Sequence, residues 1–380
     1  MNRVRVMMIA GEPSGDLHGA GVVRELKKLQ PDAEVFGIGG EKMQSEGMNL
    51  VYHIRELSVM GFWEVVQHLP LLRSVEQTLT ALLRIKRPDV VVLIDYPGFN
   101  LRFARKAKAQ GIKIIYYISP QVWAWNPGRV KTMRGLIDKM LVVFPFETDI
   151  YRNAGIDAEF VGHPLLEVLT EPQSRSDFCR RYELESAKSI LGLFPGSRKQ
   201  ELERILPSMV GAARILHNRF GVQVAVGVAS ALEIDFVKSF LRNDFPVKLI
   251  HHATYDVMAN ADVAIVTSGT ATLETACYRT PMVVVYRTSP LTYLIGRLLI
   301  RIKNIGLVNI VAGRSLVQEL IQGKATPQRI ADAVGRLIEN SEERSRISAE
   351  LFSVRNLLGS PGASSRVASV IQRYASPNAA

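Results

Sequence analysis

Short runs rich in Val and Ile alternate along the chain with longer segments of helical period. That alternation predicts a parallel α/β architecture with strands buried on both faces. Arg3–Ile9 reads as the first strand, Gly11–Asp16 as a turn and His18–Leu29 as the helix after it. Val35–Gly37, Asp89–Ile94, Ile112–Ile118 and Lys139–Val143 complete a first doubly wound domain that ends near Phe160–His163. Leu169–Ser189 is polar, carries Pro172 and reads as a connection with partial helix. The alternation then restarts. Ser189–Phe194, Val222–Val228, Val247–Ile250, Asp262–Val266 and Met282–Tyr286 are the expected strands of a second domain. Glu201–His217, Tyr255–Asn260 and Ala271–Tyr278 are its expected helices. Pro327–Asn340 carries Ile330, Val334, Leu337 and Ile338 on one helical face. Helices at 342–358 and Ala363–Tyr374 follow, broken at Gly359–Gly362. The expectation is an α/β chain of two Rossmann-like doubly wound domains facing a cleft.

Composition narrows the partners. A chain of 380 residues exceeds one ordinary core. Lys plus Arg number 47 against 36 Asp plus Glu, a net charge of +11 that favours anionic partners. The positive charge is spread out and no nucleic-acid module occurs, so nucleic acid is not an expected partner. Cys179 and Cys277 lack metal-ligand spacing and read as reduced thiols. No stretch reaches about 18 uninterrupted apolar residues, and the N-terminal MNRVRVMMIAGEPSGD does not fit a signal peptide. A soluble, cytoplasmic chain is expected, able to rest on a membrane. Two segments suit that contact. Leu57–Leu72 contains Met60, Phe62 and Trp63 and no Lys or Arg. Leu291–Lys303 carries Arg297, Arg301 and Lys303 on an apolar background, as cationic interfacial helices do. Both also suit ordinary core helices.

Ligands of open parallel sheets bind at the carboxyl ends of the strands, so the loops after strands hold the candidate chemistry. The first loop is AGEPSGDLHGAG. It is neither a P-loop nor a G-x-G-x-x-G fingerprint. Ser14 and Asp16 can cap the following helix, which alone would explain them. Glu12 is not needed for the turn and faces the expected cleft. In LIDYPGFN, Asp95 ends a run of five apolar residues; desolvation there favours a raised pKa, as a general base requires. A loop-capping role is the alternative. Asn100 stands ready to orient a ligand hydroxyl. In SPQVWAWNPGRVK, Trp123 and Trp125 suit stacking on a sugar or packing beneath the loop, and Arg129 and Lys131 make its end basic.

Two loops of the second domain suit an anion. PGSRKQEL opens a helix and adds Arg198, a bidentate donor for phosphate. SGTATLE places Ser268, Gly269 and Thr270 at a helix start, a cradle for a diphosphate, with Glu274 one turn on to accept from ribose hydroxyls. No Asp-x-Asp pair, metal-spaced His set or G-x-S-x-G elbow is present.

Together these loops resemble one family, the lipid-A-disaccharide synthases, glycosyltransferases of the GT-B class. AGEPSGDLHGAG, VMGFWEV, IDYPGFN, SPQVWAW, FVGHPL, PGSRKQEL, SGTATLE and LVNIVAGR follow the family's order across most of the chain. SPQVWAW with the first loop is the specific part. The family often has an acidic residue where this chain has Gly98, which leaves Asp95 as the carboxylate of that loop. The resemblance implies transfer of 2,3-diacylglucosamine from UDP-2,3-diacylglucosamine to the 6-hydroxyl of 2,3-diacylglucosamine 1-phosphate. It implies inversion, with no metal and no cofactor. It implies a lipid-binding acceptor domain over 1–168, a UDP-sugar donor domain over 169–350, and helices over 351–380 that return to the first domain. Asp95 and Glu12 become the catalytic pair. Arg198, Ser268, Gly269, Thr270, Glu274, Asn309 and Arg314 become donor contacts. Ser14, Asn100, Met60, Phe62, Trp63, Trp123 and Trp125 fall in the acceptor and lipid region. The expected partners are the two acylated sugars and the anionic cytoplasmic face of an inner membrane, and a homodimer exchanging C-terminal helices is conceivable. Two other readings suit the loops: a UDP-sugar 2-epimerase with a soluble substrate, and a catalytically silent nucleotide- or phospholipid-binding scaffold.

Overall fold

The structure is a computed structural model that describes residues 3–57, 69–241, 245–290, 293–294, 296 and 302–376. The chain divides into two compact units, residues 1–167 with 358–380, and residues 168–357. In the first, β1 (Arg5–Ala10), β2 (Glu34–Gly39), β3 (Asn49–His53), β4 (Val90–Ile94), β5 (Lys113–Tyr117), β6 (Lys139–Val142) and β7 (Ala158–Phe160) form one sheet. Its order is β3-β2-β1-β4-β5-β6-β7. All its pairings are parallel. β4 is buried along its whole length, because helices cover both faces of such a sheet.

The second unit repeats the plan with β8 (Ile190–Phe194), β9 (Gln223–Val228), β10 (Val247–His251), β11 (Val263–Thr267), β12 (Met282–Tyr286) and β13 (Glu319–Ile321). Their order is β10-β9-β8-β11-β12-β13. In both sheets the order reverses beside the first strand, between β1 and β4 and between β8 and β11. At such a reversal the two following loops part, and the crevice between them takes the ligand.

Three strands, β3, β7 and β13, lie outside the sequence expectation. Each is short and on or next to a sheet edge, with half-exposed positions that break the apolar run. The first helix begins at Pro13, well before the expected His18. Proline in the first turn has no N–H to satisfy and a backbone angle already set for a helix, so residues 13–16 are helix rather than turn. The last helix, Ala363–Ala375, belongs to the first unit and lies against Pro13–Leu29. The contact is close: a Cβ at Gly21 would sit 2.5 Å from Ser364 Oγ. Glu167 holds the start of this helix, accepting from the Ser364 backbone N–H at 2.8 Å and its hydroxyl at 2.5 Å.

Candidate functional site

Glu12 follows β1 and Asp95 follows β4, so the two carboxylates flank the reversal of the first sheet. Burial, and next the repulsion from Glu12, push the Asp95 carboxyl up to about 6, against the opposing Tyr96 backbone N–H. Glu12 is exposed, at the N-cap of the first helix, and its side chain makes no capping bond. Asp95 and Tyr96 both adopt the left-handed region, φ 46° and 47°. Two consecutive non-glycine residues there are strained, and such strain gathers at functional sites.

The surroundings hold that conformation. Asp95 N–H donates to Tyr117 O at 3.0 Å. The Asp95 carbonyl accepts from Asn100 Nδ2 at 2.7 Å and from the Tyr116 hydroxyl at 2.6 Å. The Tyr96 ring lies on Gly11, where a Cβ would come within 2.3 Å of Tyr96 Cδ1. Gly11 is therefore glycine for space. Asn100, expected to meet a ligand hydroxyl, is fully buried, and its amide N–H groups hold the backbone beneath Asp95. Gly98 has open space around it, since a Cβ there meets nothing within 4 Å. An acidic side chain would fit, so packing does not impose glycine.

The aromatic loop after β5 is tied down by a residue that no local pattern singles out. Glu147, 1% exposed, accepts from Ser119 Oγ at 2.9 Å, Trp123 Nε1 at 3.0 Å and Phe144 N at 3.2 Å. Burial pushes its carboxyl up to about 7, while Trp123, Ser119 and the backbone N–H groups pull the other way. Trp123 packs edge-on against Phe144 and Phe146, so its indole serves the loop's own packing. Trp125 is 42% exposed, with the Arg129 guanidinium 4.6 Å above its ring. His163 of the FVGHPL run is buried and accepts from Leu165 N–H through Nδ1 at 3.1 Å. Burial, then the nearby His18, lower it to about 3.

In the second unit the loop after β8 meets the end of β11. A Cβ at Gly196 would lie 3.0 Å from Thr267 Cγ2. Arg198 is the N-cap of the long helix Lys199–Phe220 and pairs with Glu201 at 3.2 Å, with much of its side chain exposed. Gly269, φ 140°, caps the helix Thr270–Cys277 in a conformation that disfavours any side chain. The Ser268 hydroxyl donates to Ile305 O at 2.9 Å. What this turn offers an anion is thus the first N–H groups of the helix, at Thr270 and Ala271, and the positive end of its dipole. Glu274 is half-buried, and burial raises its pKa. Its Oε1 accepts from the Tyr255 hydroxyl at 3.2 Å.

Four more expected residues have the following places. Asn309 is fully buried and all its side-chain hydrogen-bonding capacity is used. Nδ2 donates to Val317 O and Glu319 Oε1, and Oδ1 accepts from Leu316 N and Val317 N. Glu319 in turn accepts from the N–H groups of Ile305 and Gly306, so the pair shapes the loop that Ser268 also holds. Arg314 is exposed and paired with Glu350. Ser14 is exposed inside the first helical turn and caps nothing. Asp16 caps a different helix, accepting from Gly40, Lys42 and Met43 N–H at the start of Glu41–Ser45. Met60, Phe62 and Trp63 lie outside the described residues, as does most of Leu291–Lys303.

Known proteins share both the sequence and the fold. A family described as lipid-A-disaccharide synthetase matches residues 6–370. A lipid-A-disaccharide synthase of Syntrophus aciditrophicus is 46% identical over 371 residues, covering 97% of each chain. That of Geobacter metallireducens is 43% identical, covering 97% of this chain and 96% of its own. Among solved structures, the kitacinnamycin glycosyltransferase has a TM-score of 0.67 at 16% identity, covering 98% of this chain and 100% of its own. UDP-GlcNAc 2-epimerase from Neisseria meningitidis has a TM-score of 0.66 at 13% identity, covering 97% and 100%. At such identities these two structures speak for the fold alone.

Proposed function

Since the chain belongs to the lipid-A-disaccharide synthase family, we propose that it performs that glycosyl transfer with a base from the first unit and a donor site in the second. The carrying observation is the carboxylate pair Glu12 and Asp95 at the reversal of the first sheet, with Asp95 raised to about 6. A base must be basic enough to take a proton yet ionised at working pH, and a carboxylate near 6 satisfies both. Asp95 takes the proton of the acceptor 6-hydroxyl as that oxygen bonds to the anomeric carbon of the donor sugar. The bond from the anomeric carbon to UDP breaks on the opposite face, which inverts the configuration. Glu12 acts through Asp95 by keeping its proton affinity high.

The leaving diphosphate carries the developing charge, and fixed donors aimed there are the economical way to stabilise it. Arg198 and the Thr270 and Ala271 N–H groups fill that role, and Glu274, oriented by Tyr255, accepts from the ribose hydroxyls. We expect transfer to proceed without a metal. Purified protein mixed with UDP-2,3-diacylglucosamine and 2,3-diacylglucosamine 1-phosphate in EDTA should yield disaccharide 1-phosphate and UDP by mass spectrometry. UDP bound without product would favour a silent scaffold instead. Product that appears only when magnesium is restored would overturn the metal-free part.

The acyl chains call for contact with a membrane surface, and no helix among the described residues is long and apolar enough to cross one. A cytoplasmic enzyme resting on the anionic inner face fits the net charge of +11. It should co-sediment with phosphatidylglycerol vesicles at low salt and be released at high salt. Failure to sediment at low salt would end this reading.

A further inference from the structure

The acceptor carries a phosphate at one end of its sugar and the reacting hydroxyl at the other. Asp95 accounts for the hydroxyl end. Nothing so far accounts for the phosphate, which must be held as an anion near two carboxylates, Glu12 and Asp95. A cation has to stand within a sugar's length of Asp95 in the first unit, and it must not already be neutralised.

Arg129 is the cation that suits. It stands in the loop after β5, the strand paired with β4, whose end carries Asp95. Its charge is felt by the phenols of Tyr116 and Tyr151, and the Tyr116 hydroxyl donates to the Asp95 carbonyl at 2.6 Å. Among the described residues no carboxylate pairs with Arg129. Arg102 lies 4.0 Å from Glu76, and Arg152 is tied through its Nε–H to Ala158 O at 2.9 Å. Lys131 is exposed on the short helix Arg129–Met133.

The Arg129 guanidinium lies over the Trp125 ring at 4.6 Å. Stacking occupies the flat face of a guanidinium and leaves its in-plane N–H groups for a bidentate partner, the geometry that suits phosphate. The loop is set from below. Glu147 holds Ser119 and Trp123, and the Tyr151 hydroxyl donates to Pro120 O at 2.8 Å. Trp125 keeps 42% of its surface open, while Val122 and Ala124 before it are buried.

We propose that Arg129, laid on Trp125, recognises the phosphate monoester of the acceptor. The proposal rests on the acceptor identity and on the role of Asp95 given above. It fixes the direction of the acceptor sugar, with the phosphate toward the loop after β5 and the 6-hydroxyl toward the end of β4.

The test compares two acceptors, 2,3-diacylglucosamine 1-phosphate and the same sugar without phosphate. Wild type should prefer the phosphorylated acceptor. Arg129→Ala should raise its KM by about 10- to 100-fold, as expected for a lost charge-assisted contact. The phosphate-free acceptor should be handled as by wild type, so the preference collapses. Arg129→Lys should recover part of it, and Lys131→Ala should leave it unchanged. An unaltered urea midpoint by tryptophan fluorescence in each variant checks the fold of the first unit, which holds all three tryptophans. Equal losses on both acceptors would overturn the proposal in favour of a loop-packing role, and so would a matching loss in Lys131→Ala, which would mean diffuse attraction. Failure of the function reading looks different: wild type would transfer to neither acceptor. Equilibrium binding of the two acceptors to wild type and Arg129→Ala would then still decide the phosphate site.

Discussion

Asp95→Asn should bind UDP as wild type does and turn over slower by roughly 10²–10⁴, the usual cost of losing a positioned base. Asparagine is the right replacement. Asp95 sits at φ 46°, a region asparagine enters far more readily than alanine, so the strained turn survives and only the basicity is lost. Its hydrogen-bonded carbonyl is backbone, so the contacts from Asn100 and Tyr116 remain. The pH profile gives a second readout. With Asp95 raised to about 6, kcat/KM should fall tenfold per unit below pH 6 instead of holding down to about 4. Glu12→Gln removes the second cause of that rise and should move the acid limb to lower pH while most turnover remains. Near-normal turnover by Asp95→Asn would remove it from the mechanism. An acid limb that stays in place in Glu12→Gln would separate Glu12 from it.

What the sequence discloses and what it hides follow one physical division. A fully buried parallel strand has no polar face, so Val90–Ile94 or Met282–Tyr286 stands out as an apolar run, and the first polar residue after it marks the carboxyl end of the strand. Asp95 was legible for that reason. The edge strands Asn49–His53 and Glu319–Ile321 are half-exposed, and their mixed composition resembles loop. Direction is the other hidden quantity. A polar residue in a loop beside a ligand and a polar residue that braces the loop from within look alike in one dimension. Asn309, expected near the donor, donates to Glu319 and Val317. Asn100, expected to orient a ligand hydroxyl, holds the backbone of Asp95 through its Nδ2. Glu147 has its side-chain partners 24 and 28 positions upstream, a relation no local pattern carries. The stack of Arg129 on Trp125 is half legible, since the loop shows both residues but not their contact.

Removing the Glu147 carboxylate should be the most destabilising single change near the site. In Glu147→Ala the Ser119 hydroxyl, the Trp123 indole N–H and the Phe144 N–H lose a buried acceptor together. Each orphaned group costs about 1–3 kcal/mol, and the three share one site, so roughly 3–5 kcal/mol is expected in all. Glu147→Gln is the finer probe. Its side-chain oxygen still accepts from Ser119 and Trp123, while its NH₂ opposes the Phe144 N–H, so the loss is smaller and the titration disappears. That titration has a definite sign. Glu147 is raised from 4.5 to about 7 in the fold, so between those values the folded state binds more protons and stability falls as pH rises. Asp95, raised from 3.8 to about 6, works in the same direction. His163, lowered from 6.5 to about 3, and His18, lowered to about 4, work oppositely, since the unfolded chain takes up their protons first. From about pH 4.5 to 6 two protons are favoured in each direction, and wild-type stability should be nearly flat. Glu147→Gln leaves the histidines in excess by one proton, and stability should climb by about 1.4 kcal/mol per pH unit over that range. Trp63, Trp123 and Trp125 all belong to residues 1–167, so tryptophan fluorescence during urea unfolding follows the first unit alone. Parallel stability profiles for wild type and Glu147→Gln would show that Glu147 is already ionised in the fold, with the three donors of the loop holding a carboxylate rather than a neutral acid.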